Sequence, residues 1–474
     1  MPWAVPLFGS AWICPRVLGP ENLRSQQKLR LELVNKKAIL ISSDKSKSGK
    51  STLAMVLARF FWRQNYKVIP FKCGPDYIDT LHLKRAAKQN AYNLDPVLLP
   101  PRQLKSCFVR KLSQGDVAVV EGAMGLLDGL DCKTFAGSTY EVAKILNLPV
   151  LLILDVAAAS FSVAARVQGL MTLAKDVNII GIILNQIGSN VHANMVRQAI
   201  EYHTGLPVLG EVPRLELGIN SRHLGIKTAL EVGDDFYEQL ADTYSKYLQL
   251  SRITAKINYP FKPPVLPRPE PKPIKTAYIA YDQAFNFYYQ DNLDFLQTNG
   301  FELKFFSPLH NEVPKDPDFI YIGGGYPELF AATLSQNIQT RQAIFNFSRQ
   351  GVPILAECGG MMYLSEGILQ GDKFYPMCQV FKVQVEMTAM RKSLGYVQAK
   401  GLVKTFYFEQ GKEFLGHRFH YSQIKATQDP FVFATQKLTS SQTLPDGFAR
   451  AKTLACYTHF HFLSPQNILE KILT

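Results

Sequence analysis

The fold turns on one stretch: Lys37-Ala38-Ile39-Leu40-Ile41-Ser42-Ser43-Asp44-Lys45-Ser46-Lys47-Ser48-Gly49-Lys50-Ser51-Thr52. Its apolar first part reads as a buried strand, and Asp44 to Ser48 reads as a loop. Apolar residues at helical spacing follow from Leu53 to Gln64. A strand, a loop and then G-K-S-T at a helix start is the setting a phosphate-binding loop requires. Lys50 would reach the terminal phosphates of ATP, Ser51 would ligate Mg²⁺, and the helix N-terminus would hold the anion. The strict G-x-x-x-x-G-K-[ST] pattern fails, because Asp44 stands at its first glycine. Lys45 instead occupies the place of the extra lysine in deviant K-G-G-x-G-K-[ST] loops, with Ser46 and Lys47 replacing glycines. A basic turn before a helix is the plain alternative. The flanking strand and helix favour nucleotide binding by Lys45, Ser48, Gly49, Lys50, Ser51 and Thr52.

Outward from this loop the same pattern recurs. A strand from Lys67 to Cys73 runs into Gly74-Pro75-Asp76-Tyr77-Ile78-Asp79, and one from Val117 to Val120 runs into Glu121-Gly122-Ala123-Met124-Gly125-Leu126-Leu127-Asp128-Gly129. In an open parallel α/β sheet, ligands bind at the C-terminal ends of the strands. Asp79 and Glu121 are therefore expected to hold Mg²⁺, and Asp76, Tyr77 and Asp128 to meet a second substrate. Taken singly, each carboxylate suits a helix cap or a turn equally well. Further strands at Val150–Val156, Ile179–Asn185 and Val208–Val212 alternate with helices, which implies a helix-covered parallel sheet. Arg222 and His223 follow, placed either to contact an anionic substrate or to pair on the surface.

Composition changes near residue 251. Tyr259 to Ile274 contains seven prolines and reads as a semi-rigid linker. The alternation of strand and helix then restarts at Thr276. An apolar strand, Val352 to Ala356, precedes Glu357-Cys358-Gly359-Gly360, the form of a nucleophile elbow with cysteine in the serine position. A lone cysteine is more often structural than reactive. Gly323-Gly324-Gly325 lies upstream, and backbone N–H groups near Gly325 and Gly359 are expected to face a developing oxyanion. The nucleophile's base must be a histidine distant in sequence. His310, His417, His420, His459 and His461 are available, and alternation puts His459 and His461 on one strand face.

A chain of 474 residues implies two or three domains. Hydrophobic content of 47% with 19% charged residues describes a globular protein. No apolar run approaches the roughly 18–20 residues that span a bilayer, so no membrane association is expected. Seven cysteines without C-x-x-C spacing argue for reduced thiols, a cytoplasmic location and no zinc site. The net charge of +13 is scattered, with no basic block that would mark nucleic acid as a partner. Residues 1–35, rich in proline and with their charges after the apolar part, read as a disordered extension or a start site placed too early.

Over residues 36 to 474 the chain resembles the cobyrinate a,c-diamide synthase family. The resemblance rests on GPDYID (74–79), EGAMGLLDG (121–129), RHLG (222–225), AFNFYYQDNL (284–293), GGGYPEL (323–329), AECGGMMYL (356–364) and YTHFHF (457–462). It implies two doubly wound α/β domains. One is a P-loop amidoligase domain of the dethiobiotin-synthetase type at 36–250, and the other a flavodoxin-like class I glutaminase domain at 274–474, joined by a linker at 251–273. It further implies ATP and glutamine as co-substrates, Mg²⁺, a corrinoid acceptor, and Cys358 with His459 as the glutaminase pair. No glutamate follows His459 in the position class I glutaminases use, so a Cys–His dyad is expected. In the family's G-H-E-F-H-Y-S stretch this chain carries Arg418 in place of the glutamate. Hydrogenobyrinate, a nickel sirohydrochlorin or the substrate of cobyric acid synthase are the alternatives for the acceptor. A partitioning-type switch ATPase with an inert second half is the alternative of another class. A homodimer is compatible with the chain but not dictated by it.

Overall fold

Alternate residues of the first strand supply two different cores. β1 (Val34–Ser42) sends Ala38 and Leu40 into one buried cluster and Ile39 and Ile41 into another. A strand covered on both faces is largely apolar, which is why β2 (Val68–Cys73), β4 (Val117–Glu121) and β5 (Val150–Asp155) read as near-continuous apolar runs, charged only toward their C-terminal ends at Lys72, Glu121 and Asp155. The computed structural model describes residues 34–215, 217, 229–264, 274–390 and 392–473. With β3 (Tyr92–Leu94), β6 (Ile179–Ile187) and β7 (Val208–Pro213), the first sheet has the parallel order β3-β2-β4-β1-β5-β6-β7. β1 lies at its centre between β4 and β5, so the loops after these strands share one edge.

Two boundaries differ from the sequence expectation. β1 begins at Val34, inside the stretch assigned to an extension; residues 1–33 lie outside the described residues. The expected linker at 251–273 starts as structure. A helix at Leu250–Lys256 buries Ile253, and β8 (Asn258–Phe261) pairs antiparallel with Val34–Lys37 of β1. Pro260 misleads here, because proline is tolerated in a short edge strand.

In the second unit, β9 (Lys275–Ala280), β10 (Phe301–Phe306), β11 (Phe319–Ile322), β12 (Ile354–Glu357), β22 (Thr453–Cys456) and β21 (Phe448–Arg450) form a sheet of order β10-β9-β11-β12-β22-β21. All its pairings are parallel except that of β21. Two further sheets, mainly antiparallel, are built from strands between β12 and β22 in sequence, with β23 added after β22. With β13 at Gly367–Gln370, β14 at Lys373–Pro376, β15 at Val383–Met387 and β18 at Ser422–Thr427, one runs β14-β13-β15-β18. With β16 at Ser393–Gly401, β17 at Glu413–His420, β19 at Phe433–Lys437, β20 at Thr443–Asp446 and β23 at His459–Phe460, the other runs β20-β19-β16-β17-β23. The doubly wound expectation omitted them. They are half-buried strands whose alternating pattern is weaker than that of a parallel core strand. β22 pairs Cys456 with Glu357 of β12, so β23, three residues on, brings His459 back beside the elbow, where it pairs with β17.

The two units meet through aromatic side chains. Tyr77 and Leu98 of the first pack with Phe287, Tyr289 and Tyr326 of the second.

Candidate active site

Cys358 follows β12 directly and opens a helix at Gly359–Leu364. Its backbone sits at φ 51° and ψ −103°, a region costing an ordinary residue about 1–3 kcal/mol. The strained turn is held because the Cys358 N–H donates to the Cys456 carbonyl at 2.7 Å, extending the β12–β22 ladder. Cys358 is 6% exposed. Gly325, at φ 154°, passes so close to Ala284 that a Cβ would lie 2.1 Å from its carbonyl oxygen. Its amide nitrogen lies near Gly359, whose own N–H opens the helix and so lacks an intrahelical partner. Gly324 closes on the base: a Cβ there would stand 2.6 Å from His459 Cε1.

His459, on β23, faces Cys358 and Glu357 and is 2% exposed. Burial alone would depress its pKa, but Cys358 and Glu357 outweigh it and raise the imidazole to about 9. That favours an imidazolium at neutral pH. His461 goes elsewhere. Its Nε2 lies 3.9 Å from Asp291, its ring packs on Tyr289, and burial lowers it to about 3. His417 pairs with His459 across β17 and β23 and is likewise held neutral, near 3, by burial. His420 stacks on Tyr457 at 3.9 Å, and His310 bonds Ser307.

The expected dyad gains a third group from an unforeseen direction. Glu357 Oε2 lies 3.6 Å from His459 Nδ1, beyond hydrogen-bond length but within ion-pair reach. Its carboxylate is 1% exposed and fixed by Tyr321 Oη at 2.7 Å and the Phe460 N–H at 2.9 Å. The sequence signal was present in the elbow itself: an acidic residue in a strand otherwise buried and apolar.

In the first unit the helix Lys50–Arg63 starts behind Gly49, whose φ of 104° turns the loop. Lys50 Nζ bonds Ser43 Oγ at 2.8 Å and the Lys45 carbonyl at 3.0 Å, and burial followed by Lys72 lowers its pKa to about 8. Ser48 donates to the Lys45 carbonyl and is itself held by Asn185. Thr52 lies in the first turn of the helix. Asp44, at the first-glycine position, forms an ion pair with Arg166 at 2.7 Å, and Lys45 pairs with Asp155 at 3.0 Å.

Ser51 Oγ donates to Glu121 Oε1 at 2.5 Å. Lys72 Nζ reaches both Glu121 and Asp79 at 2.6 Å. This lysine was missed in sequence, since it lies in a strand read as apolar, just ahead of the Gly74–Asp79 stretch that drew the reading. Burial, then Asp79, pushes Glu121 up to about 8, whereas for Asp79 Lys72 overcomes burial and holds the pKa down. Burial and Asp79 raise Asp76 to about 6. Asp128 is exposed and accepts the Gly125 N–H at 2.8 Å, while the Leu126 N–H donates to Ser43, tying this loop to the phosphate loop. Arg222 and His223 lie outside the described residues.

The residues suit Mg²⁺. Glu121 Oε2 is buried without a hydrogen-bond partner beside the Ser51 hydroxyl. Among the described residues no cluster of three or more His, Cys, Asp or Glu side chains forms a metal cage.

An elbow thiol with its imidazole and carboxylate, joined in one chain to a phosphate loop over buried carboxylates, defines a glutamine-dependent ligase. Residues 276–467 match the CobB/CobQ-like glutamine amidotransferase domain and residues 39–221 the CobQ/CobB/MinD/ParA nucleotide binding domain. The chain is 35% identical over 446 residues to cobyrinate a,c-diamide synthase of Caldanaerobacter subterraneus, covering 92% of this chain and 98% of that one. It is 36% identical over 444 residues to the enzyme of that name from Picrophilus torridus, with the same coverage, 92% and 98%. The chain belongs to the cobyrinate a,c-diamide synthase family.

Proposed function

We propose that this protein amidates the a and c acetate carboxylates of cobyrinate, using glutamine as nitrogen donor and ATP to activate each carboxylate. The observation that carries this reading is the presence in one chain of the Cys358–His459–Glu357 arrangement and the Lys50 loop above Glu121 and Asp79.

In the glutaminase step, the Cys358 thiolate attacks the side-chain amide of glutamine, and His459 carries the proton to the departing ammonia. The developing oxyanion is met by N–H groups at Gly325 and Gly359. Water then cleaves the thioester. In the other unit an acceptor carboxylate near Asp76, Tyr77 and Asp128 attacks the γ-phosphate of ATP, and Lys50 spreads the charge of the in-line transfer. Bound Mg²⁺, held by Ser51 and Glu121 with Asp79 nearby, would supply further charge neutralisation. Ammonia displaces phosphate from the acyl phosphate, and the cycle runs twice.

Cys358→Ala separates the two halves. The variant is expected to lose glutamine-dependent amidation while keeping ammonia-dependent amidation. Unchanged activity with both nitrogen sources would remove Cys358 from the mechanism. Mass spectrometry of the product counts the amides, and four additions to an a,c-diamide would overturn the choice of acceptor. We read the protein as cytoplasmic, supported by the free thiols of Cys73, Cys107, Cys132, Cys358, Cys378 and Cys456. No helix among the described residues is long and apolar enough to cross a membrane.

A further inference from the structure

Arg418, on β17 of the glutaminase unit, is only 4% exposed, and among the described residues it forms no ion pair. Its Nη1 donates to Thr435 Oγ1 at 2.8 Å and its Nη2 to His420 Nε2 at 3.2 Å, while Nε finds no partner. Burying a guanidinium without a carboxylate is costly, and an apolar side chain of similar size would cost less. Stability therefore does not account for this cation.

What Arg418 touches leads to the nucleophile. An arginine can only donate, so His420 Nε2 accepts, and the ring proton sits on Nδ1, which donates to the Ser422 carbonyl at 2.8 Å. Burial, then the Arg418 charge, lowers His420 to about 4 and keeps the ring neutral. That ring lies 12° from parallel to the Tyr457 ring, and the guanidinium is 5.7 Å from the Tyr457 ring centre. Tyr457 Oη meets Ser422 Oγ at 2.9 Å, and Ser422 Oγ reaches Met362 Sδ, on the helix that Cys358 opens, at 3.6 Å. Phe419 is thereby clamped from both sides. β23 pairs with β17 at Gly416 and His417, and two residues on, the Phe419 carbonyl accepts the Cys358 thiol at 3.5 Å. We propose that Arg418 is a positioning residue of the glutaminase: by fixing the His420 tautomer against Tyr457 it holds the Phe419 carbonyl, and through that oxygen it sets the place of the Cys358 sulfur. Arg418 does not itself touch the sulfur, so its loss acts on the rate of attack.

This inference rests on the glutamine-dependent reading, and its test keeps the two apart. Glutamine hydrolysis, ammonia-dependent amidation with ATP, and thermal unfolding are measured on the full-length protein. Arg418→Met, which fills the space without the charge, should lower kcat for glutamine hydrolysis by about tenfold with KM changed far less, as a slightly misplaced nucleophile does. Its unfolding temperature should be no lower than the parent's, because an unpaired buried charge has gone. Ammonia-dependent amidation should match the parent. His420→Ala should show a similar loss of kcat, and adding Arg418→Met to it should remove little more, since the arginine acts through the histidine. A kcat equal to the parent's in Arg418→Met would overturn the assignment. So would a lowered unfolding temperature joined to a loss of ammonia-dependent amidation, or losses that multiply in the double variant. Failure of the parent to hydrolyse glutamine at all would instead overturn the functional reading.

Discussion

At the scale of single residues, Glu357 is the instructive case. Its carboxylate is buried one residue before the nucleophile and aimed at the base, so it acts on catalysis only through His459. Glu357→Gln keeps the size and, with its one carbonyl oxygen, the bond from the Phe460 N–H, turns its amide NH₂ toward Tyr321 Oη, and removes the charge. Because Glu357 helps raise the imidazole to about 9, its loss must lower that pKa. An imidazolium is needed to protonate departing ammonia. The alkaline limb of the glutaminase pH profile should therefore fall near pH 9 in the parent and at lower pH in the variant. We expect kcat to drop roughly a hundredfold, in the range of general acid–base contributions. A variant profile superimposed on the parent's would rule Glu357 out. The nucleophile and phosphate loop were legible in sequence because a cramped turn and an anion cradle each demand particular residue types. Glu357 and Lys72 were not, because their importance lies in what a distant strand brings to them.

At the scale of elements, the central strands were legible for the opposite reason that the edges were not. A parallel strand sealed on both faces has little choice but a largely apolar run, whereas the alternating strands between β13 and β20 and the proline-bearing β8 carry weaker signals. β8 gives a direct test. Phe261 is 2% exposed and lies beneath Lys36, whose ammonium is 4.8 Å from the ring centre. Phe261→Ala should destabilise the full chain by about 3–5 kcal/mol, as for other buried phenylalanines. A flexible linker would show no change. Thermal or urea unfolding reads the difference.

At the scale of the whole molecule, the units are pinned by a buried charge as well as by rings. Lys111, 5% exposed, pairs with Asp294 and lies 3.8 Å from Asp291, which is 2% exposed. Lys111→Met removes the cation and strands Asp291, a change expected to cost about 3–5 kcal/mol. The double variant Lys111→Met with Asp291→Asn should recover much of that loss, because no buried charge is then left without a partner. Additive losses in the double-variant cycle would show that the two side chains do not interact. None of this interface was visible in the sequence, where Lys111 sits in an ordinary amphipathic helix and Asp291 in a motif noted only for its resemblance.

The pairing of β8 with the start of β1 also sets the order of events during synthesis. The phosphate loop emerges early, but the strand that leads into it is not fully flanked until Phe261 has been made. The first unit is thus a bracket, opened at Val34 and closed at Phe261, and only then does the chain pass on to the glutaminase. A truncated translation product ending short of residue 258 would present β1 with its first residues uncovered, a bare edge of the kind that invites pairing with another chain. Closure of the ATP-binding unit before the ammonia source exists follows from strand order alone.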